Sequence, residues 1–453
     1  MAGDPSMEVL RPQLRGALLS PGDDGYDAAR KVWNGMVDKR PAMIAQCAGA
    51  ADVVACVHFA RQQEMPISIR SGGHDIAGNS VSDGGLMIDL SLMKGIRVDP
   101  VRLRAQAQAG LSLGEFDRET QVFGMATTLG VNTDTGIAGL TLGGGYGWLA
   151  GKYGLACDNL VSVSIVTAEG DLLHASAEEN SDLFWGVRGA GANLGIVTSF
   201  EYRLHPVNTV LAGMVLYPFS QARQVLRLFD EFSQQAPDEI STVGALLTAP
   251  DGQRAAAVAA CYCGPPDAGE KLMKPLRCLG QPLADLIAPQ PYEQLQTLFD
   301  AGYPRGRHYY LKALNMRKLG DGSISAMLAA AEDWPTPHSA VVMQQLHGAA
   351  SRVPVDAMAF PHRYHHYDLG FEAGTDDPAQ CGAIKDWVRK GWEAVAPFAE
   401  RAVYVNVARD AGEEGENRVR EAYGPNYDRL LALKNKFDPT NFFRPNANIK
   451  PTV

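Results

Sequence analysis

No run of basic residues longer than a pair occurs in this chain, and its 41 Lys and Arg are outnumbered by 51 Asp and Glu, for a formal net charge of −10. A nucleic-acid surface needs clustered Lys and Arg to displace the counterions of phosphates, so that class of partner is argued against. No stretch approaches the roughly 20 apolar residues that span a bilayer, and no membrane partner is expected. Met1–Leu10 has no apolar core of signal-peptide length, so a soluble, cytoplasmic chain is expected. The seven cysteines are odd in number and follow no framework spacing, so a secreted disulfide scaffold is not implied. Internal repeats and low-complexity linkers are also lacking. What remains is an ordinary globular composition, 46% hydrophobic and 20% charged, on which disorder is not expected. Its 453 residues suggest two or three domains.

The first 205 residues are rich in glycine and mix helix and strand patterns. Ala51–Gln62 reads as a helix with Val53, Cys56, Val57 and Ala60 on one face. Strands are expected at Ile67–Arg70, Leu86–Leu90 and Arg102–Ala109, and at Val161–Val166 and Asp171–Ala175 around an Ala168-Glu169-Gly170 turn. Beyond His205-Pro206 the texture changes. Helices are expected at Ser220–Ser233, Ser323–Glu332 and Ala383–Phe398. Strands are expected within Val243–Cys263, on either side of Pro250-Asp251-Gly252, and at Val341–Leu346, Tyr367–Glu372 and Ala402–Val407. The tail adds a helix, Tyr427–Lys434. The fold class is α+β, with a second sheet that is antiparallel.

Four segments carry candidate chemistry. In Arg70-Ser71-Gly72-Gly73-His74-Asp75, directly after a strand, small residues let consecutive N–H groups form a phosphate-binding nest; an ordinary strand-end turn explains it as well. Gly136–Gly154, with Gly139, Gly143, Gly144, Gly145, Gly147 and Gly151, permits close backbone approach to a flat or anionic ligand, or is a set of tight turns. Gly189–Gly195 nearly matches the dinucleotide fingerprint, but its last spacing is one residue too long and a strand follows it, which argues against a Rossmann site. Gly110-Leu111-Ser112-Leu113-Gly114 matches a nucleophile elbow; Ser112 with Glu115 is also a capping box. His362, His365 and His366 raise the question of a metal, but adjacent strand residues face opposite ways, and none is expected. Cys261 and Cys263 could form a redox pair on one strand face. Cys157, alone, reads as a small buried hydrophobe.

Taken together, Arg70–Ser80, Gly139–Asn159, Phe184–Gly189, Phe360–Arg363 and Tyr423–Ile449 resemble the berberine-bridge-enzyme-like flavin oxidases of the vanillyl-alcohol-oxidase group. The resemblance covers nearly the whole chain. It implies a two-domain PCMH-type FAD-binding fold: residues 1–206 bind FAD, 207–407 form a substrate domain built on an antiparallel sheet covered by helices, and 408–453 return to the FAD domain. It implies a bicovalent FAD, joined through His74 and Cys157. Arg70, Ser71, Gly72, Gly73, Asp75 and Asn79 would serve the pyrophosphate loop. Gly139, Gly143, Gly144 and Gly145 would line the flavin, and Asn193, Gly195, Ile196 and Val197 the adenine side. Asn406, Asn446 and Asn448 would complete the cofactor site. The sheet would roof the flavin with candidates Gln345, His347, Tyr367, Glu372, Tyr404 and Asn406. Hydride transfer from a C–H beside OH or NH needs a base, and Glu372, His366, Tyr367 or Tyr404 could serve; Val407 stands where many relatives carry a tyrosine. The implied partners are a small organic substrate and O2, on a monomer or homodimer. A dehydrogenase using another acceptor, a serine hydrolase at Ser112 and a non-catalytic flavin carrier are the rival readings.

Overall fold

The structure is a computed structural model that describes residues 5–407, 416–444 and 447–452. Its N-terminal half holds two sheets on one core. In the first, Met43–Gln46, Leu86–Asp89 and Ile67–Arg70 run parallel, with Leu18–Leu19 antiparallel at the edge. The second is antiparallel, in the order Ile96–Asp99, Arg104–Gln108, Ile196–Arg203, Leu160–Val166, Leu172–Ser176. The helix Ala50–Gln62 packs against a strand of each. Val53, Cys56, Val57 and Ala60 are all 0% exposed, so the predicted face is the core face. Burying the two valines stabilises by about 1.5–3 kcal/mol each, and the smaller Ala60 and Cys56 contribute less. Asp52 sits in the first turn of that helix, where a carboxylate suits the N-terminal dipole, and accepts hydrogen bonds from the amides of Arg15, Gly16 and Ala48.

Past residue 206 the chain builds one antiparallel sheet, in the order Ala284–Asp285, Thr209–Pro218, Arg254–Tyr262, Ile240–Thr248, His338–Leu346, His366–Thr375, His308–Met316. Ala288–Pro291 also pairs with Thr209–Pro218. The helices Ala222–Gln235, Pro266–Arg277, Asp321–Glu332 and Cys381–Val395 pack on one face. Alternate strand residues therefore meet helices or the N-terminal half, and register decides which.

The sequence expectations differ from this architecture in several places, beginning with the strands Met43–Gln46 and Ile96–Asp99 and the helix Pro266–Arg277, which they did not include. Thr209–Pro218 and His308–Met316 are strands that local pattern did not separate from their surroundings. Ala402–Val407 is not a strand: only Glu400 bridges to Asn315, and the amides of Ala402 and Val407 close short turns on Glu400 and Tyr404. Its apolar alternation is satisfied instead by burial of Val403 and Val405 in the N-terminal core. The tail helix runs to Phe437, and Tyr423, Leu430, Leu433 and Ile449 join that same core. No described helix is long and apolar enough to cross a membrane.

Candidate active site

The strand Ile67–Arg70 ends in the glycine loop, and the loop opens onto a cleft of about 320 Å³. Ser71 to Asp75, Asn79 and Ser80 line one side; Gly136, Gly139 and Leu140 line another. Gly191, Gly195, Ile196, Val197 and the tail residues Phe443 and Arg444 complete it, with Tyr404 and Asn406. The chain is pressed tightly here. A Cβ at Gly72 would lie 2.3 Å from the Gly136 nitrogen, and one at Gly136 would lie 2.4 Å from the Gly72 nitrogen. Both backbones must therefore be bare for the loops to meet.

The cleft is equipped for an anionic, nucleotide-like ligand. The amides of Gly72, Gly73, His74 and Asp75 donate to no protein acceptor among the described residues. Gly73 takes a φ of +70°, which alternates the backbone as a nest requires. Asn79 Nδ2 and Ser80 Oγ are buried without partners among the described residues, and both residues line the cleft. Buried donors are costly to leave unmade, so a ligand with acceptors fits this wall. A Cβ at Gly139 or Gly191 would project into open space, the space a flat group needs. FAD, with its pyrophosphate and planar ring, matches this donor set.

Several expected cofactor residues act one layer behind the wall. Arg70 does not reach the cleft: its guanidinium binds both carboxylate oxygens of Asp89 and the Lys31 carbonyl. It braces the loop from beneath. The Asp75 side chain accepts the Asn79 amide at 3.1 Å and so shapes the turn, leaving only its own amide for a ligand. Gly143, Gly144 and Gly145 do not line the cleft. A Cβ on Gly143 would strike Asn406, and one on Gly144 would strike Phe360, so these glycines admit side chains from the C-terminal half. Asn193 is fully buried and ties the tail down, donating to Ala447 O and Tyr423 Oη and accepting from the Ile449 amide. Asn448 Oδ1 is buried without a partner among the described residues. Asn446 lies outside the described residues.

His74 and Cys157 are placed very differently. His74 lines the cleft. Its ring stacks on Trp33 at 4.9 Å, and Trp33 stacks on Tyr309 at 4.0 Å, an aromatic column that crosses to the C-terminal sheet. Burial lowers its pKa against the pull of Asp134, so the imidazole is neutral. Cys157 is fully buried and does not line the cleft. Its sulfur lies 3.6 Å from Met358 Sδ and 3.8 Å from Arg363 Nη2, and burial pushes its thiol well up. A thiol that cannot ionise is a poor nucleophile. The structure does not bring Cys157 into the cleft beside His74: its sulfur is packed behind Gly144, which accepts the Cys157 amide.

Strand parity sorts the catalytic candidates. In His366–Thr375 the even-numbered residues His366, Asp368, Gly370 and Glu372 share one face. Tyr367, Leu369 and Phe371 face the helices and join their core. Tyr367 is thus corrected: its hydroxyl donates to Asp230 at 2.9 Å on the helix side. Gln345, its register partner, also faces the helices, between Thr242 and the Ser233 carbonyl. His347 spends its Nε2 on the Ile240 carbonyl. His366 is on the face away from the helices, but burial drives its pKa to about 3, and it meets Tyr146 Oη at 3.0 Å and the Tyr364 carbonyl at 2.7 Å. The Tyr404 hydroxyl accepts from the Gly145 amide and from Asn406 Nδ2, and burial raises its pKa. Both are poor bases; Tyr404, which lines the cleft, stacks on Tyr146 at 4.3 Å.

Glu372 accepts a 2.6 Å hydrogen bond from Tyr303, and burial raises its pKa. Sequence reading missed its neighbour Asp368. Its Oδ1 has no partner among the described residues, and burial, reinforced by Glu372, lifts its pKa to about 7. It is close enough to Tyr146 and Tyr404 to raise their hydroxyl pKa values further. The available signal was period two: a carboxylate two residues from His366 and four from Glu372 shares their face. Trp33, Asp134 and Arg305 were also missed, and nothing in their local sequence marks them.

The rival site dissolves into local structure. Ser112 caps the helix Leu113–Gln121, accepting from the Glu115 amide while Glu115 accepts from the Ser112 amide. Ser112→Ala is expected to cost about 1 kcal/mol of stability, read as a small shift in chemical denaturation, with cofactor content and turnover unchanged. His362 is bound to the Val403 carbonyl, and the described residues hold no group of three or more potential metal ligands. Cys261 and Cys263 are both free thiols.

Comparison with known proteins agrees with this geometry. Residues 41–176 match the family model of an FAD binding domain, and residues 403–450 match the model described as berberine and berberine like. An FAD-linked oxidoreductase of Dictyostelium discoideum is 32% identical over 444 residues, covering 97% of this chain and 95% of that protein. The (R)-6-hydroxynicotine oxidase of Paenarthrobacter nicotinovorans is 30% identical over 462 residues, covering 97% of each. The crystal structure of 6-hydroxy-D-nicotine oxidase from Arthrobacter nicotinovorans superposes with a TM-score of 0.85 at 28% identity, covering 96% of this chain and 98% of that one. A cleft lined by free amides and bare glycines, on a chain that aligns nearly end to end with such enzymes, has one reading: this protein belongs to the berberine-bridge-enzyme-like family of FAD-linked oxidoreductases.

Proposed function

We propose that this enzyme is an oxidase of small organic molecules bearing a C–H beside an OH or NH group, and that it holds its FAD by a single covalent bond from His74. The observation that supports this most is a division of labour: an imidazole in the wall of the cleft, and the buried carboxylate of Asp368, its Oδ1 without a partner among the described residues, close to Tyr404, which lines the cleft. When bound, the flavin supplies the two-electron chemistry, accepting hydride at N5 and passing electrons to O2 to give hydrogen peroxide.

The residues do the rest. The amides of Gly72–Asp75 hold the pyrophosphate, and Asn79 and Ser80 add donors. Tyr146 and Tyr404 wall the substrate space and exclude water. Asp368 Oδ1 takes the proton from the substrate heteroatom, and a pKa near 7 suits a general base at neutral pH. Burial holds the Asp368 pKa high, and the charge of Glu372, engaged by Tyr303, adds to it.

The mass of the denatured chain tests the attachment. Wild type and Cys157→Ala are expected to carry one FAD, and His74→Ala to carry none while the folded protein stays yellow. An unmodified wild-type chain refutes the covalent reading; a His74→Ala chain that keeps its FAD moves the bond elsewhere. Cofactor-loaded protein whose flavin no substrate panel bleaches without oxygen would instead be a carrier.

A further inference from the structure

We propose that Asp134, braced by Arg305, is the positioning residue that sets the tautomer of His74 and so makes its Nδ1 the atom that bonds the cofactor. This rests on the single-bond attachment proposed above.

The geometry is a nucleophile, an orienting carboxylate and a brace. His74 Nε2 lies 2.6 Å from Asp134 Oδ1. The other carboxylate oxygen of Asp134 receives Arg305 Nε at 2.9 Å. Arg305 Nη2 also donates to the Gly72 carbonyl at 2.7 Å and the Asp134 carbonyl at 3.1 Å. One side chain from the C-terminal half thus clamps both loops that carry the pair. Thr133 adds a second clamp, its amide and hydroxyl bound to Asp300. The imidazole plane is held by the Trp33 stack.

A carboxylate only accepts hydrogen bonds, so the neutral imidazole keeps its proton on Nε2. The lone pair is then on Nδ1, which makes no hydrogen bond among the described residues, on a ring that lines the cleft. Burial opposes ionisation of Asp134, but the contacts with His74 and Arg305 outweigh it and hold its carboxyl below the ordinary value.

The bond-forming step balances as follows. Nδ1 bonds the ring-methyl carbon, which loses one proton. The imidazole becomes positively charged beside the Asp134 carboxylate and sheds its Nε2 proton through it. The electron pair released passes through the cofactor to dioxygen, which takes up the two protons and becomes hydrogen peroxide. Asp134 acts on this step twice, by selecting the tautomer and by stabilising the imidazolium, as the aspartate of a Ser-His-Asp triad does.

The test is the rate of covalent incorporation when FAD is added to protein purified from riboflavin-limited cells, followed by mass of the denatured chain. Non-covalent FAD binding is measured in parallel by fluorescence quenching. Asp134→Asn keeps the size of the side chain and a hydrogen-bond acceptor; it is expected to slow incorporation by about 100-fold or more while FAD binding stays within a few-fold of wild type. Asp134→Glu is expected to recover much of the rate. Incorporation by Asp134→Asn at the wild-type rate overturns the proposal and leaves the His74 bond standing. Loss of FAD binding in Asp134→Asn together with incorporation also overturns it, by making the pair a structural clamp. Wild-type protein that never incorporates FAD overturns both readings.

Discussion

Asp368→Asn is expected to slow anaerobic reduction of the flavin by about 10²–10⁴-fold, the range that a positioned general base contributes. The comparison uses the alcohol or amine that bleaches the wild-type flavin fastest. The side chain keeps its shape, so substrate affinity should change little while the rate constant at saturation falls. The pH dependence gives a second signature. The competent base is the carboxylate, and its pKa is raised to about 7 by burial. The wild-type rate should therefore climb with pH, flatten above about 7, and fall tenfold per unit below. That limb should vanish in the variant.

Stability should move the other way. The carboxyl's pKa in the fold lies above its ordinary value of 3.8, so the fold binds more protons than the unfolded chain between the two values. This favours the fold at low pH, and the gain is lost as pH rises from about 4 to about 7. Asparagine carries no such penalty, and at pH 8 the variant should melt at or above the wild-type temperature. Loss of rate with retained or increased stability is the mark of a strained functional group. An Asp368→Asn enzyme that is as fast as wild type removes the base assignment; Glu372→Gln, tested beside it, should be the milder change, because Tyr303 already engages that carboxylate.

The second large effect lies in the tail. Lys434 and Asp438 are both 0% exposed and 2.6 Å apart. The ammonium also donates to the Asn193 and Phe443 carbonyls, so all three of its protons are used. Asp438 in turn accepts the amides of Phe442 and Phe443. Lys434→Met leaves a buried carboxylate without its cation, which costs about 3–5 kcal/mol. Phe443 and Arg444 line the cleft, so the loss should reach the cofactor. We expect an apparent melting temperature lower by roughly 5–10 °C and faster release of FAD from a His74→Ala background. The double variant Lys434→Met/Asp438→Asn should be more stable than Lys434→Met alone, since the stranded charge is removed. A single variant that melts like wild type would show the pair to be dispensable.

The local elements were legible because each is decided by neighbours in sequence. The face of Ala50–Gln62, the hairpin around Gly170 and the cap at Ser112 follow from periodicity, turn chemistry and a four-residue box. The glycine loop after Ile67–Arg70 could be read as a nest for the same reason: its donors are consecutive amides. Arg70 could not, because its partner Asp89 is on an adjacent parallel strand, and only pairing shows that the guanidinium points down and not into the cleft.

The catalytic face was legible in kind but not in hand. Alternation places His366, Asp368 and Glu372 on one side and Tyr367 on the other, yet nothing in that stretch says which side is left free of the helices. The helices on the far face decided it, by burying Tyr367, Leu369 and Phe371. Cys157 shows the reverse case. A motif brought it to the cofactor, but its sulfur is enclosed by Met358 and Arg363, more than 200 residues onward.

By itself, then, the sequence determined many of the elements, the glycine loop, the capped helix and the family, because these depend on spacing along the chain. Only the tertiary structure decided that Asp134 meets His74 and is braced by Arg305, that Asp368 is buried on the sheet face away from the helices, and that Lys434 locks the tail. The His74–Asp134 and Lys434–Asn193 contacts join residues 60 and 241 positions apart, and no local pattern encodes them. They exist because the sheets and a returning tail, each burying one apolar face, leave their polar side chains only each other.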